Sequence, residues 1–233
     1  MLPRLFRVVD PPEVDSPLPV SEGEGEGRLV RQSIKRFSTV DLTGQKVRLR
    51  PVRPDDAPTV FDLFRDDRVI RNLAVEAPGS LEEEIEWCRN AATLPQVGSS
   101  GVSYHLVIDT AVDSSLAGAV GLHQRGHPHQ YEIGYWLGVP YWDKGLATEA
   151  VTLAAGFAFQ HLDAIRVWAD VFVGNDASRR VLEKNGFKMD GVLRSHFLKR
   201  GTWLDVWFFT LLRAEWELRR AWYQPSVGKV VVA

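Results

Sequence analysis

Two stretches of this sequence combine residue types that can do chemistry. The first runs Gly134-Tyr-Trp-Leu-Gly-Val-Pro-Tyr-Trp-Asp-Lys-Gly-Leu-Ala-Thr-Glu-Ala150. It reads as the end of a strand, a glycine-containing turn and the start of an alanine-rich helix. The first turn of a helix has unpaired N–H groups and partial positive charge. A glycine lets an anion approach that backbone closely, so the segment is suited to holding a phosphate group. Lys144 adds one formal charge. The structural alternative for Gly145-Leu-Ala147 is a tight connection that needs a small residue. No G-x-x-x-x-G-K-[ST] occurs, which excludes a Walker loop, and the second and third glycines of a dinucleotide fingerprint are missing. The second stretch is Asn175-Asp-Ala-Ser-Arg-Arg-Val-Leu-Glu-Lys-Asn-Gly-Phe187. Asn175 reads as a helix cap and Gly186 as its stop, with Val181 and Leu182 facing a core. Ser178 is a small polar side chain on one face of that helix.

The elements that must position these stretches follow from patterning. Residues 46–53 alternate apolar and basic with period two, a half-buried strand. Asp55 is a plausible cap for a helix carrying Val60, Phe61, Leu63 and Phe64. Ser80-Leu-Glu-Glu83 reads as a capping box opening a second helix. Residues 103–109, 115–123 and 130–138 are three strands in succession, and a buried helix follows from about Gly145 to His161. A strand over 164–173, the helix over 175–185, and strands over 187–199 and 203–212 complete the order β-α-α-β-β-β-α-β-α-β-β. That is an α/β (α+β) arrangement, a mixed sheet with helices on its faces.

The chain has 233 residues, with 28 Lys plus Arg against 30 Asp plus Glu, a net charge of −2. Attachment to nucleic acid by overall charge is excluded. Cys88 is the single cysteine, so an intrachain disulfide and a Cys-rich zinc site are excluded. Arg4, Arg7 and Asp10 interrupt the first residues, and no run approaches the ~18 apolar residues of a membrane span. The expectation is a cytoplasmic protein without membrane or direct nucleic-acid partners. Residues 1–40 read as an extension with a Pro-rich and Gly/Glu linker, residues 45–216 as the working domain, and 219–233 as a tail ending in a strand-prone Val-Gly-Lys-Val-Val-Val-Ala. Of eight tryptophans, seven lie after residue 130, toward the stretches described above.

Taken together, Glu132-Ile-Gly-Tyr-Trp-Leu-Gly138, Trp142-Asp-Lys-Gly-Leu-Ala-Thr-Glu-Ala150, Asn175 with Ser178, Val181 to Lys184, Gly186 and Phe187, and the hairpin Gly201-Thr-Trp-Leu-Asp-Val206 resemble the GNAT N-acyltransferases. Within them they look like the ribosomal-protein-alanine (RimJ/RimL-like) acetyltransferase branch, from about Lys46 to Trp216. Two positions depart from the superfamily pattern. Trp142 replaces the usual Gln or Arg, as is common in this branch, and Asp143 replaces the branch's Gly. The resemblance implies a mostly antiparallel sheet of about seven strands and direct transfer of acetyl from acetyl-CoA, as cosubstrate, to an amine. It implies that backbone N–H groups of Lys144, Gly145, Leu146, Ala147 and Thr148 hold the pyrophosphate. Leu137 and Val139 would bond the pantetheine arm, and a backbone N–H near Trp136 or Leu137 would meet the thioester oxygen. Ser178, with Asn175 one turn before it, stands where the branch places the proton donor for the leaving thiolate. For the base the candidates are Glu132, His123 and, third, His196. His123, His127 and His129 lack a completing carboxylate or Cys, so no metal is expected. Trp136, Trp142 and Trp168 would flank the cofactor and Trp203 and Trp207 the acceptor, the alternative being core or homodimer packing. The acceptor is a protein N-terminus or a small amine such as a polyamine, amino acid or aminoglycoside. An acidic rim at Glu82 to Glu84 and Glu86 would suit the latter. Succinyl transfer, and a catalytically silent acyl-CoA-binding protein, are the remaining alternatives.

Overall fold

A computed structural model describes residue 37 and residues 39–98, 101–220 and 230–231. The first half contributes β1 (Thr39–Val40), β2 (Leu42–Thr43), β3 (Val47–Pro51), α1 (Ala57–Phe64), α2 (Asp67–Ile70), α3 (Leu81–Ala91), β4 (Gln96–Gly98), β5 (Gly101–Thr110) and β6 (Leu116–Gln124). The second half contributes β7 (Gln130–Leu137), α4 (Leu146–His161), β8 (Arg166–Phe172), α5 (Asp176–Lys184), β9 (Lys188–Lys199), β10 (Thr202–Leu212), α6 (Arg213–Arg219) and β11 (Val230–Val231). The expected element order is present, with short extra elements added. Most of the 1–40 extension and the 219–233 tail lie outside the described residues. Where described, both contribute structure: Thr39 pairs with Val231 and Val40 with Val230 in a small antiparallel ribbon. The core also reaches upstream of residue 45, taking in Phe37, Val40 and Leu42.

The main sheet runs β2-β3-β5-β6-β7-β8-β10-β9, with β4 pairing on β5. Every pairing in it is antiparallel except β7 with β8. Side chains alternate across the strands, so each face has its own core. Tyr104, Leu106, Val120, Tyr131, Ile133 and Val167 point to α4, whose alanines let it lie close. Val107, Ala119 and Trp136 point to the opposite face, under α1 and α3.

The position of α1 and α3 over their face is fixed by a buried ion triad. The Arg50 guanidinium on β3 donates twice to Asp56, at 2.8 Å each, and to Asp109 on β5 at 2.6 and 3.2 Å. All three residues are buried. Asp56 also accepts from the Arg53 amide at 2.7 Å, so it closes the Pro54–Asp56 turn that leads into α1. The cap expected at Asp55 is not what the structure uses; the neighbouring Asp56 stands before the helix and spends its carboxylate on Arg50. At α3, Ser80 accepts from the Glu83 amide as expected, but Glu83 turns to the Gly79 amide rather than to Ser80, so the capping box is half formed. Removing the cation of a buried pair leaves carboxylates without compensation. Arg50→Leu is expected to lower unfolding stability by about 3–5 kcal/mol, measured by chemical denaturation; a loss under about 1 kcal/mol would show that the triad does not anchor α1.

Candidate active site

The site is built where the one parallel pairing fails. β7 and β8 pair only at Gln130 with Arg166, Tyr131 with Val167 and Glu132 with Trp168. Beyond that point each strand continues on its outer neighbour, β7 on β6 to Leu137 and β8 on β10 to Phe172. The inner edges therefore diverge, and backbone of residues 133–137 and 169–172 lines a gap. Unpaired strand edges accept an extended chain.

At the open end of β7 the backbone enters a tight turn. Asp143 (φ 58°) and Gly145 (φ 76°) both adopt left-handed conformations. Asp is one of the few residues that tolerates this besides Gly, which explains how Asp143 occupies a position where the resembling family uses glycine. Trp142 donates from Nε1 to the Leu137 carbonyl at 2.8 Å and from its amide to Val139 at 3.2 Å. The carbonyls of Leu137 and Val139 thus help to hold the turn. No side chain caps α4 at Gly145, so the amides of Leu146, Ala147 and Thr148 lie at the helix start without intrahelical partners. Glu149 would repel an anion here. Its carboxylate is instead drawn to the other side, accepting from the amides of Gln45, Lys46 and Val47 at 2.9, 2.6 and 2.8 Å. Lys46 then donates from Nζ to the Lys144 carbonyl at 3.2 Å, bringing a second cation to the turn.

On the α4 side of the gap, the Tyr135 hydroxyl lies 2.9 Å from Ser178 Oγ and donates to the Ser178 carbonyl at 3.2 Å. Burial raises the Tyr135 pKa above its usual value, so the hydroxyl stays protonated. Asn175 caps α5 by accepting from the Ser178 amide at 3.2 Å. At the far end of α5, Asn185 donates to the Thr148 carbonyl at 3.1 Å and accepts from Thr152 at 2.6 Å, tying α5 to the first turns of α4. Sequence reasoning missed Tyr135, Lys46 and Asn185; Tyr135 was in the quoted motif but without a role.

On the opposite face, Glu132 closes the vertex of the gap. It pairs with Arg125 at 3.1 Å, and burial raises its pKa against the pull of that guanidinium. His123 sits directly across from Glu132 on β6, but it is 2 % exposed, with Nδ1 at 3.0 Å from Ser103 Oγ and its ring 5.0 Å from His105. Burial holds its pKa far below 6.5. His123, a candidate for the base, is therefore enclosed in the structure, with Ser103 and His105 of β5 against its ring. His196 is open to solvent and reaches Asp170 on β8, Nε2 to Oδ2 3.6 Å. Trp136 is buried against Phe64, and Trp207 lies half-buried beneath Arg179. Glu84 points inward, and Glu76, Glu83 and Glu84 line a small cleft with Phe64 and Trp87 between α1 and α3. Among the described residues no group of three or more His, Cys, Asp or Glu is arranged to hold a metal, and no helix is long and apolar enough to cross a membrane. A side chain at Gly145 would have its Cβ 3.0 Å from Lys46 Nζ and be forced into a left-handed backbone. Gly145→Ala is expected to cost about 1–2 kcal/mol of stability, read from denaturant midpoints; an unchanged midpoint would mean the turn relaxes freely.

Residues 46–188 match the acetyltransferase (GNAT) domain family. The uncharacterized N-acetyltransferase YoaA of Bacillus subtilis (strain 168) is 31% identical over 173 residues, covering 74% of this chain and 96% of that protein. The [ribosomal protein uS5]-alanine N-acetyltransferase of Escherichia coli (strain K12) is 29% identical over 186 residues, 76% of this chain and 93% of that one. Among solved structures, spermidine N-acetyltransferase from Vibrio cholerae in complex with CoA and spermine superposes with a TM-score of 0.64 at 20% identity, covering 73% of this chain and 98% of that one. That last likeness concerns the fold. With a domain match over more than half its length and a divided parallel strand pair at its centre, this chain belongs to the GNAT family and is an N-acetyltransferase.

Proposed function

We propose that the protein transfers an acetyl group from acetyl-CoA to a primary amine, foremost the N-terminal amine of a protein or peptide. The observation that carries this reading is the gap between β7 and β8, with uncapped helix amides at one end and a hydroxyl pair along its side. The residues fit the cosubstrate in chemistry. The amides of Leu146, Ala147 and Thr148, with Lys144 and Lys46 beside them, suit a pyrophosphate. The inner edge of β7 suits the amides of an extended pantetheine arm, which supplies the acetyl thioester. A backbone N–H of β7 near Trp136 or Leu137 would stabilise charge developing on the thioester oxygen.

Ser178 stands ready to give its proton to the departing thiolate. Tyr135 donates to the Ser178 carbonyl and lies 2.9 Å from Ser178 Oγ, so it holds the hydroxyl in place and is a positioning residue for it. Glu132, its pKa raised by burial against the pull of Arg125, places a carboxyl group where an ammonium must lose a proton. His123 has no part in this reading, because it is sealed and its pKa is too low to bind a proton near neutrality.

A peptide acceptor is favoured by the β9–β10 hairpin, where Leu193, Leu198 and Trp203 remain exposed. Lys199 donates to the carbonyls of Leu73 and Val75 at 2.6 and 2.9 Å, and Arg200 pairs with Asp67 and Glu76, both at 2.9 Å. The hairpin tip is thereby tied to the loop after α2 and forms a fixed wall. A small polyamine is the second reading, favoured by the carboxylates of Glu132 and Asp170 at the vertex. Incubating the protein with acetyl-CoA and a panel of Ala-headed peptides and polyamines, and following free thiol, separates the two by kcat/KM. Tight CoA binding with no turnover on any amine would replace both with a silent CoA-binding role. Ser178→Ala is expected to lower kcat roughly 100-fold with CoA affinity within about threefold, and Tyr135→Phe to lower it less. An unchanged kcat in Ser178→Ala removes that hydroxyl from the chemistry.

A further inference from the structure

Asp170 is the next residue of β8, after Trp168, on the face that carries Glu132. It lies just past the last pair, so it borders the vertex of the gap. Strands disfavour Asp, yet this one sits between the buried residues Ala169 and Val171 in a central strand. Across the gap β7 offers Gly134, so β7 itself places no side chain between those of Glu132 and Trp136. Beyond β10, the pairing of β9 is irregular, passing from Leu193 with Val206 to Phe197 with Leu204. In that interval Ser195 adopts φ 48° and donates its amide to Asp205 Oδ1 at 2.7 Å. A serine in this backbone region is strained, and the irregularity brings His196 Nε2 to 3.6 Å from Asp170 Oδ2. That separation is an ion pair's rather than a hydrogen bond's.

We propose that Asp170, backed by His196, is the group that takes the proton from the acceptor's ammonium, and that Glu132 and Asp170 together make the vertex a seat for a cationic amine. This rests on the acetyl-transfer reading above. The two carboxylates are not equivalent. Glu132 is held by Arg125 and its side chain is 12% exposed, whereas that of Asp170 is 28% exposed and has a path to solvent through His196. The charged groups acting on Asp170 are Glu132 from β7 and His196 from β9. Arg166, at the other end of β8, is turned to Asp190 and to the Phe208 ring instead. Burial first, then the charge of Glu132, raise the Asp170 pKa to about 6 against the pull of His196. A base so placed is deprotonated at neutral pH and still basic enough to work.

The step balances. The ammonium gives one proton to the Asp170 carboxylate, breaking N–H and forming O–H. The freed lone pair forms the C–N bond to the thioester carbon, the C–S bond breaks, and Ser178 Oγ gives its proton to the leaving thiolate. The second ammonium proton, shed once C–N has formed, restores the Ser178 hydroxyl through water. Asp170 then gives its proton to solvent at the opening beside the exposed His196, one proton released per acetyl transferred.

The test is the pH profile of kcat/KM for the amine that the wild type turns over fastest, with CoA affinity measured alongside. For the wild type an acid limb near pH 6 is expected, activity falling below it as Asp170 protonates. Asp170→Asn should lose roughly 100-fold in kcat/KM at pH 7 and lose that limb, its remaining activity rising with pH as the amine itself deprotonates. Asp170→Glu should recover part of the loss, and His196→Gln should shift the limb with a smaller loss. CoA affinity should stay within about threefold in all three. An Asp170→Asn variant that binds CoA, stays within threefold of wild-type kcat/KM and keeps the limb overturns this inference alone. If Asp170→Asn loses CoA binding too, an unshifted limb in His196→Gln overturns it. A wild type that transfers acetyl to no amine overturns both this inference and the reading it rests on.

Discussion

Two adjacent strands that are each held on their outer edge by a different neighbour cannot both follow those neighbours and stay paired with one another. β7 is carried by β6 and β8 by β10, and their shared pairing ends after three residues of register. The rest of the structure is arranged around that divergence. α4 starts at its open end, α5 spans one side through Tyr135 and Ser178, and Glu132 with Asp170 borders its vertex on the other. In the proposed reading the gap separates a cofactor side from an acceptor side and leaves one line along which the two reactants meet. Burying a divided strand pair would leave backbone donors and acceptors orphaned, which is why an extended, amide-bearing ligand is the natural occupant.

Electrostatics is managed locally rather than by net charge. A chain at −2 overall leaves the start of α4 uncapped by any side chain, and the acid in that first turn, Glu149, is occupied by three amides from residues 45–47. The same contacts bring Lys46 to the turn. On the face of Glu132, acids are concentrated at the vertex and the imidazole of His196 faces Asp170 across β10. The Arg50 triad holds α1 over this face through β3 and β5, so α1 and the turn before α4 are anchored independently.

The sequence makes the local parts of this arrangement legible. The strand meander, the helix start after Gly145, the cap at Asn175 and the stop at Gly186 are each written within a few residues, where propensity and turn chemistry act. What could not be read is long-range. Arg50 and Asp109 are 59 residues apart and Lys46 and Lys144 are 98 apart; no local pattern couples them. The burial of His123 is hidden for the same reason, since Ser103 and His105 that lie against it belong to β5. Asp170 carries a local signal, an acid within an apolar strand, but its partner is brought near by an irregularity in β9 that alternation alone does not reveal. The ribbon of β1 with β11 joins two-residue strands from opposite ends of the chain, below the length at which periodicity has meaning.

The central claim is that the divergence of β7 from β8 receives CoA with its pyrophosphate on the start of α4. Amide hydrogen exchange with and without CoA reads this directly, because a bound ligand slows exchange at the backbone groups it bonds. The account predicts slowed exchange at residues 133–139 and at Leu146, Ala147 and Thr148, with little change over α1 and α3. Slowed exchange confined to the α1–α3 side, or CoA bound with no change at these two segments, would contradict it.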